Sequence, residues 1–316
     1  MPIKVSVVTP SYNQGTFLEE TILSVLSQDY EPIEYIVIDG GSQDQSVEII
    51  KKYSGRLAYW VSEPDSGQSD AINKGWSRSN GDIICYLNSD DYFLPGAIRT
   101  AVKAFEENPR AGLICGRANS VSEDGQFLRA CSPLPLGQEV LEYLGGLLQP
   151  SVFLRMGVLE KMGLLDPSLH FALDAEFFLR VLGNFEAVSL PQPLSCMRNH
   201  AAAKSLAQGA RFAADVIRLG ARVASQPERY PRFHIEPARV LSAAYAHAAR
   251  FSYVNAEYGP ALRHLKRSWD LSGAYRRKIV CEELPRLLLR ALAGSRRYQW
   301  LSRYRTTSRF LPAGDS

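Results

Sequence analysis

The chain has 316 residues, 46% of them hydrophobic and 22% charged, which excludes a disordered or collagen-like polypeptide and suits one large α/β domain with an extension, or two domains. The net charge of +3 conceals an asymmetry: residues 1–204 hold 16 Lys+Arg against 25 Asp+Glu, a net of −9, and residues 205–316 hold 20 against 8, a net of +12. No apolar run reaches the roughly 18 residues that a spanning helix needs, and "MPIKVSVVTP" has no apolar leader, so a cytoplasmic protein is expected.

In chain order, "KVSVVT" (4–9) predicts a strand and "FLEETILSVLSQ" (17–28) an amphipathic helix. Strands follow at 33–39, 57–62, 82–87 and 112–118, with helices at 45–53, 68–79 and 96–108 between them. Short strands alternating with helices imply βαβ units and a parallel sheet, whose strand C-termini share one edge. Polar residues gather at those predicted ends: Thr9-Pro10-Ser11-Tyr12-Asn13, Asp39-Gly40-Gly41-Ser42, Glu63-Pro64-Asp65-Ser66-Gly67 and Asn88-Ser89-Asp90-Asp91. Ligands bind at such edges in open α/β sheets. After residue 118 the pattern changes. A hairpin is expected around Asp124-Gly125, strands at 150–155, 186–190 and 193–198, and a helix over 174–183. From 206 onward the chain reads as helical, and 241–273 has the pattern of a helical hairpin turning near Tyr258-Gly259-Pro260, similar to one tetratricopeptide-type unit. The five cysteines show no C-x-x-C spacing, so free thiols are expected and a structural zinc site is not.

Four ordered stretches, "VVTPSYNQGTFLEETILSVLSQDY", "EYIVIDGGSQDQSVEII", "SEPDSGQSDAINKG" and "GDIICYLNSDDYFLPGAI", resemble family 2 glycosyltransferases, as does the downstream "QPSVFLRMGVLEKMGLLDPSLHFALDAEFFLRVL". The resemblance covers roughly residues 3–200. It implies the GT-A nucleotide-diphospho-sugar transferase fold, a Rossmann-like mixed sheet flanked by helices, over residues 1–204, with a C-terminal α-helical extension over 205–316. It also implies an inverting, metal-dependent hexosyltransferase that moves a sugar to a hydroxyl of a glycan or lipid-linked acceptor, in cell-surface polysaccharide or lipopolysaccharide biosynthesis.

Two adjacent acids at a strand end repel each other and want a cation to face. A leaving diphosphate gathers negative charge, and carboxylate-held Mn²⁺ or Mg²⁺ can neutralise it. Asp90 and Asp91 fit that need, although Asp91 could equally cap a following helix. The family's motif is Asp-x-Asp, and Asn88 stands at its first position. Asp90 is the favoured ligand, with Asp91 beside the ribose or also on the metal. By resemblance Asp39 takes the N3–H of uracil or the equivalent edge of another base, favouring a uridine or thymidine donor, while Thr9, Pro10 and Tyr12 wall the base and ribose. Asp65, Asp70, Asn73 and Lys74 belong to the third motif; Asp70 and Asn73 share a helix face pointing toward the site, and Lys74 approaches the diphosphate. Asp174 aligns with the family's catalytic base, and Phe171, Leu173, Phe177 and Phe178 would desolvate it. Glu176, two residues on, faces elsewhere on a helix. By resemblance the loop "MRNHAAAKS" (197–205) closes over the donor, offering Arg198, His200 and Lys204 to the diphosphate, with His200 alternatively on the metal.

The segment 286–310 mixes Arg with Leu, Trp, Tyr and Phe, which suits peripheral contact with an anionic membrane at the inner face of the plasma membrane, an acceptor or dimer surface, or a helical cap. No nucleic-acid partner is expected. A nucleotidyltransferase is the second enzyme class, but it needs a Gly-rich basic phosphate loop that 9–13 lacks. A catalytically weak scaffold binding glycan or protein partners is the non-enzyme alternative.

Overall fold

In the computed structural model, the described residues are 2–200 and 209–273, with 283–285 and 288. Contacts divide the chain into two compact units, Met1–Lys204 with Gln226–Ile235, and Ser205–Ser225 with Glu236–Ser316.

The first unit begins with the expected alternation: β1 (Val5–Ser11), α1 (Gly15–Leu26), β2 (Ile33–Asp39), α2 (Ser46–Tyr53), β3 (Tyr59–Ser62), α3 (Gln68–Trp76) and β4 (Ile83–Tyr86). It continues through β5 (Tyr92–Phe93), α4 (Ala97–Glu107), β6 (Ala111–Val121), β7 (Phe127–Cys131), α5 (Val140–Tyr143), β8 (Val152–Arg155), α6 (Met156–Met162), α7 (Leu173–Leu182) and β9 (Glu186–Arg198). The described strands form one mixed sheet in the order β3-β2-β1-β4-β8-β6-β9-β5, with β7 beside β6. The β3-β2-β1-β4 half is parallel; β8 runs antiparallel to β4 and β6, and β9 lies parallel to β6.

Sequence explains these choices. β1 and β4 are buried along their whole length, as a sheet covered on both faces requires. Leu18, Ile22 and Val25 of α1 and Ile98, Ala101, Val102 and Phe105 of α4 pack with Val5, Val7, Val37 and Cys85 in one core. On α3, a side-chain carbon at Gly75 would come within 2.3 Å of Val8 Cγ1, so glycine lets that helix lie against β1.

Three local expectations change here, and one holds. Asp91 precedes strand β5 rather than a helix, and α4 starts after Gly96 in the left-handed region (φ 76°), so Asp91 is not its cap. The strands expected at 186–190 and 193–198 are one strand, β9; its register against β6 jumps from Cys115↔Ser189 to Arg117↔Pro193, and the bulge absorbs Pro191. The hairpin at Asp124-Gly125 is present, with Gly125 at φ 81°. The segment 226–235 returns to the first unit at the end of α7: Tyr230 is fully buried on Gly183, Arg232 N donates to Gly183 O (3.0 Å) and Asn184 Nδ2 to Arg229 O (2.8 Å).

The second unit contains α8 (Gly209–Ser225), α9 (Pro237–Val254) and α10 (Tyr258–Leu271). Ala243, Ala246 and Ala249 of α9 let Ala261 and Leu265 of α10 approach closely. Ser242 and Ser268 each donate to the other's carbonyl, at 2.8 and 2.7 Å. The turn lies at 255–257, not at Tyr258-Gly259-Pro260, because proline is tolerated in a helix's first turn, where its missing N–H has no helical partner.

Candidate active site

The C-terminal ends of β1 to β4 do share one edge. Gly40 N donates to Ser11 O (2.8 Å), closing β2 onto β1. Asn13, in the left-handed region at φ 51°, donates its N–H to Ser42 Oγ (2.8 Å) and accepts from Gln43 N at Oδ1 (2.9 Å). Asp39 is fully buried. Its Oδ2 accepts from Gly41 N, Ser42 N and Ser62 Oγ, and its Oδ1 from Ser42 Oγ (2.6 Å). Four donors on one carboxylate tie the ends of β2 and β3 together. A side-chain carbon at Gly40 would sit 2.7 Å from Asp65 Oδ2, so this glycine admits the Asp65 carboxylate to the edge. Burial, with help from Asp70 and Asp39, pushes the Asp65 carboxyl up. Tyr12 stands 61% exposed above this wall, whereas Thr9 is buried with Oγ1 3.0 Å from Tyr35 Oη, and Pro10 is buried within β1.

The acidic pair after β4 splits into two environments. Asp91 is 7% exposed; its Oδ1 accepts from Arg198 N (2.9 Å) and its carbonyl from Thr21 Oγ1 (2.7 Å). Burial and the neighbouring Asp90 push the Asp91 carboxyl well up, opposed by hydrogen bonds from Arg198 N and the Asn88 side chain. The Asp90 side chain keeps 22% exposure, and its Oδ2 lies 3.0 Å from His200 Nε2. The His200 ring packs on Phe17, centroids 4.7 Å apart.

Arg198 departs from the expected contact with a diphosphate. Its guanidinium is buried and spent internally: Nη1 donates to Glu123 O (2.6 Å), Nε to Asp90 O (3.1 Å) and Nη2 pairs with Glu20. Lys74 is likewise engaged, with Glu63 at 3.1 Å and Asp70 at 3.5 Å, and these acids raise its pKa. Asp70 Oδ2 also accepts from Ser66 N (3.0 Å). Asn73 is engaged with the Leu165 backbone: Nδ2 donates to Leu165 O (2.9 Å) and Oδ1 accepts from Leu165 N (3.0 Å). Lys204 lies outside the described residues.

Asp174 occupies the first turn of α7, one residue inside the helix rather than at its cap. It is half-buried beside buried Leu173, Phe177 and Phe178, and its Oδ1 accepts from Ala175 N (2.8 Å). Burial pushes the Tyr86 phenol well up, and the Asp174 and Asp91 carboxyls add to it. Glu176 is 1% exposed and forms a two-pronged pair with Arg180, Nε–Oε1 at 3.0 Å and Nη2–Oε2 at 2.9 Å. Arg180 also donates to Met162 O and Leu164 O, so the pair anchors the segment that leads to Asp174. Glu176→Ala, which strands a buried guanidinium, is expected to cost about 3–5 kcal/mol in urea unfolding.

Sequence reading thus found the residue types at the strand ends but missed their supports: Gln68, Gln149, Arg180 and Glu20. Gln68, Gln149 and Glu20 reach their partners from other elements, and Arg180 reaches Met162 O and Leu164 O beyond its own helix, so no local pattern marks these contacts.

Residues 6–155 match the model of glycosyl transferase family 2. Two uncharacterized glycosyltransferases of Mycobacterium tuberculosis, from strains CDC 1551 / Oshkosh and ATCC 25618 / H37Rv, are each 35% identical over 193 residues, spanning 59% of this chain and 71% of their own. Among solved structures, S. aureus TarS 1–349 in complex with UDP-GlcNAc is similar at TM-score 0.64 and 17% identity, over 98% of this chain and 93% of that one. Mannosyltransferase PcManGT from Pyrobaculum calidifontis, in complex with GDP-Man and Mn²⁺, is similar at TM-score 0.55 and 18% identity, over 92% and 88%. The motif match and the sequence relatives give the family, the structural likeness gives the fold, and the chain belongs to the family 2 glycosyltransferases with the GT-A fold.

Proposed function

We propose that this glycosyltransferase moves a sugar from a nucleotide-diphospho-sugar to a hydroxyl of a glycan or lipid-linked acceptor, with inversion, in the assembly of cell-surface polysaccharide or lipopolysaccharide. One observation carries the reading: Asp90 and Asp91 follow β4 at the C-terminal edge of the sheet, where the Asp39 and Asp65 carboxylates also gather, and Asp174 stands half-buried in the first turn of α7. Asp174 takes the proton of the acceptor hydroxyl. The acceptor oxygen bonds to the anomeric carbon as the carbon–oxygen bond to the diphosphate breaks, and the diphosphate leaves with the electron pair. A single in-line displacement inverts the centre.

Mn²⁺ or Mg²⁺ is the proposed cofactor. Asp90 and His200 converge at 3.0 Å, and among the described residues no cluster of three His, Cys, Asp or Glu forms a cage. One or two carboxylates completed by substrate phosphates are what Mg²⁺ takes, so the residues fit. When bound, the ion would neutralise charge on the leaving diphosphate. A uridine or thymidine donor is preferred by the family resemblance; Asp39, fully buried with four internal donors, is proposed to build the wall of the base site. TarS, similar in fold, has been crystallised with UDP and UDP-GlcNAc.

A thermal-shift screen of UDP-, dTDP- and GDP-sugars with MnCl₂, followed by assay of nucleoside diphosphate release, tests the reading. A donor should raise the unfolding midpoint and be turned over. Binding without release, for every donor and acceptor pool tried, would favour the scaffold.

Apart from Leu288, residues 286–310 lie outside the described residues. Their basic-aromatic sequence is proposed to hold the protein at the inner face of the plasma membrane; no described helix is long and apolar enough to cross a membrane. The full chain should float with vesicles containing anionic lipid, and the chain lacking 281–316 should not. Equal flotation would end this part of the proposal.

A further inference from the structure

Asn88 stands where the Asp-x-Asp pattern would put an acid. Its surroundings give it another task. Asn88 Oδ1 accepts from Gln68 Nε2 (2.8 Å), Asn88 Nδ2 donates to Gln149 Oε1 (3.0 Å), and Gln149 Nε2 donates to Tyr86 O (2.7 Å). Three side-chain amides therefore connect the first residue of α3, the turn after β4 and the segment before β8, and return to the last residue of β4.

The direction of this chain is fixed at one end, because a backbone carbonyl can only accept. Gln149 must turn its NH₂ to Tyr86 O, which leaves Oε1 facing residue 88. Residue 88 must then donate to Gln149 while accepting from Gln68. An Asn amide does both, and an ionised carboxylate can only accept. Aspartate at 88 would set oxygen against oxygen; turning Gln149 over would only move that clash to Tyr86 O. Gln149 is buried, so water cannot easily repair either mismatch. Aspartate would also add a further carboxyl to a turn where Asp91 is already buried beside Asp90.

We infer that Asn88 is a positioning residue, which through the Gln68–Asn88–Gln149–Tyr86 chain fixes the turn carrying Asp90, and which can do so only as a neutral amide. The departure from an acidic motif is then a requirement of this turn, not a weakened metal ligand. The bearing on catalysis rests on Asp90 being the diphosphate-side carboxylate; the amide chain does not.

The two are separated by two readouts on the full chain. Hydrogen exchange of the ligand-free protein reads the turn. In Asn88→Asp and in Gln149→Leu, backbone amides of residues 87–92 should exchange about tenfold faster than in the native protein, the scale set by one buried polar group left unpaired. Native exchange there in both variants would overturn the amide chain, whatever the ligand. Titration with UDP and MnCl₂ then separates positioning from packing. Both variants should bind about tenfold more weakly, with the acidic variant no better than the apolar one. A ligand role at position 88 predicts the opposite sign: Asn88→Asp would restore the acidic motif and bind Mn²⁺ with UDP at least as tightly as the native chain, and that result would overturn the inference. Asp90→Ala, run alongside, should abolish the Mn²⁺ dependence of binding; if it does not, the reading of Asp90 falls while the exchange result still decides the role of Asn88.

Discussion

Asp174→Asn is expected to lower the rate of transfer by about 10²–10⁴-fold, the range that general-base catalysis supplies, and to leave nucleotide-sugar affinity near its native value. The substitution is conservative in structure. Asparagine can still accept from Ala175 N, as Asp174 Oδ1 does at 2.8 Å, and it keeps the volume of the first turn of α7. What it loses is the ability to take a proton. Glu176 cannot stand in, because both its oxygens are committed to Arg180 in a buried pair. Turnover measured by nucleoside diphosphate release should collapse, while calorimetric titration of the donor should not change. Near-native turnover would remove Asp174 as the base.

Asp90 and Asp91 should separate cleanly. Asp90→Ala is expected to leave the fold intact, since among the described residues this side chain's hydrogen bond is with His200, and to reduce transfer by about 10²–10³-fold, the scale of losing one electrostatic group at a developing charge. Asp91→Asn should retain transfer within roughly a few-fold. Its amide oxygen can still accept from Arg198 N, and a neutral group is what the buried position favours. Removing the acceptor altogether, in Asp91→Ala, should instead lower the unfolding free energy by about 1–3 kcal/mol, the cost of a buried donor left unpaired. Urea denaturation and Mn²⁺-dependent turnover, measured on the same three variants, check the division. An Asp91→Asn protein that folds normally but no longer responds to Mn²⁺ would transfer the ligand role from Asp90 to Asp91.

Much of the parallel half was legible in the sequence because its signals are local. Apolar runs of four to seven residues, bounded by Gly, Pro and Asp, are too short for most helices and suit strands covered on both faces, and the helices between them announce their buried stripe by spacing. The antiparallel half obeys less local rules. β5 is two residues long and exists because β9 offers it a partner more than a hundred positions away, Tyr92 facing Cys196. Pro191 made β9 look like two strands, and only pairing with β6 shows that a bulge joins them. The site divides in the same way. Asp39, Asp65, Asp90 and Asp174 could be named from the strand ends and the family pattern. The internal partners of Arg198 and Asn73 could not, because a cation or an amide near a phosphate-binding edge has the same local sequence whether it meets a ligand or a carbonyl.

The return of residues 226–235 to the first unit has a practical meaning for anyone cutting the chain. A fragment stopped at the end of the family-like region, near residue 204, would lack Tyr230 and the strap across Gly183 and Asn184, and would expose the C-terminal end of the helix whose first turn carries Asp174. A fragment long enough to keep the strap must also carry α8, which belongs to the other unit. The inheritable module and the folding module are therefore different lengths of the same polypeptide, and shuffling this catalytic half between relatives requires moving about thirty residues that the family's motifs do not mark.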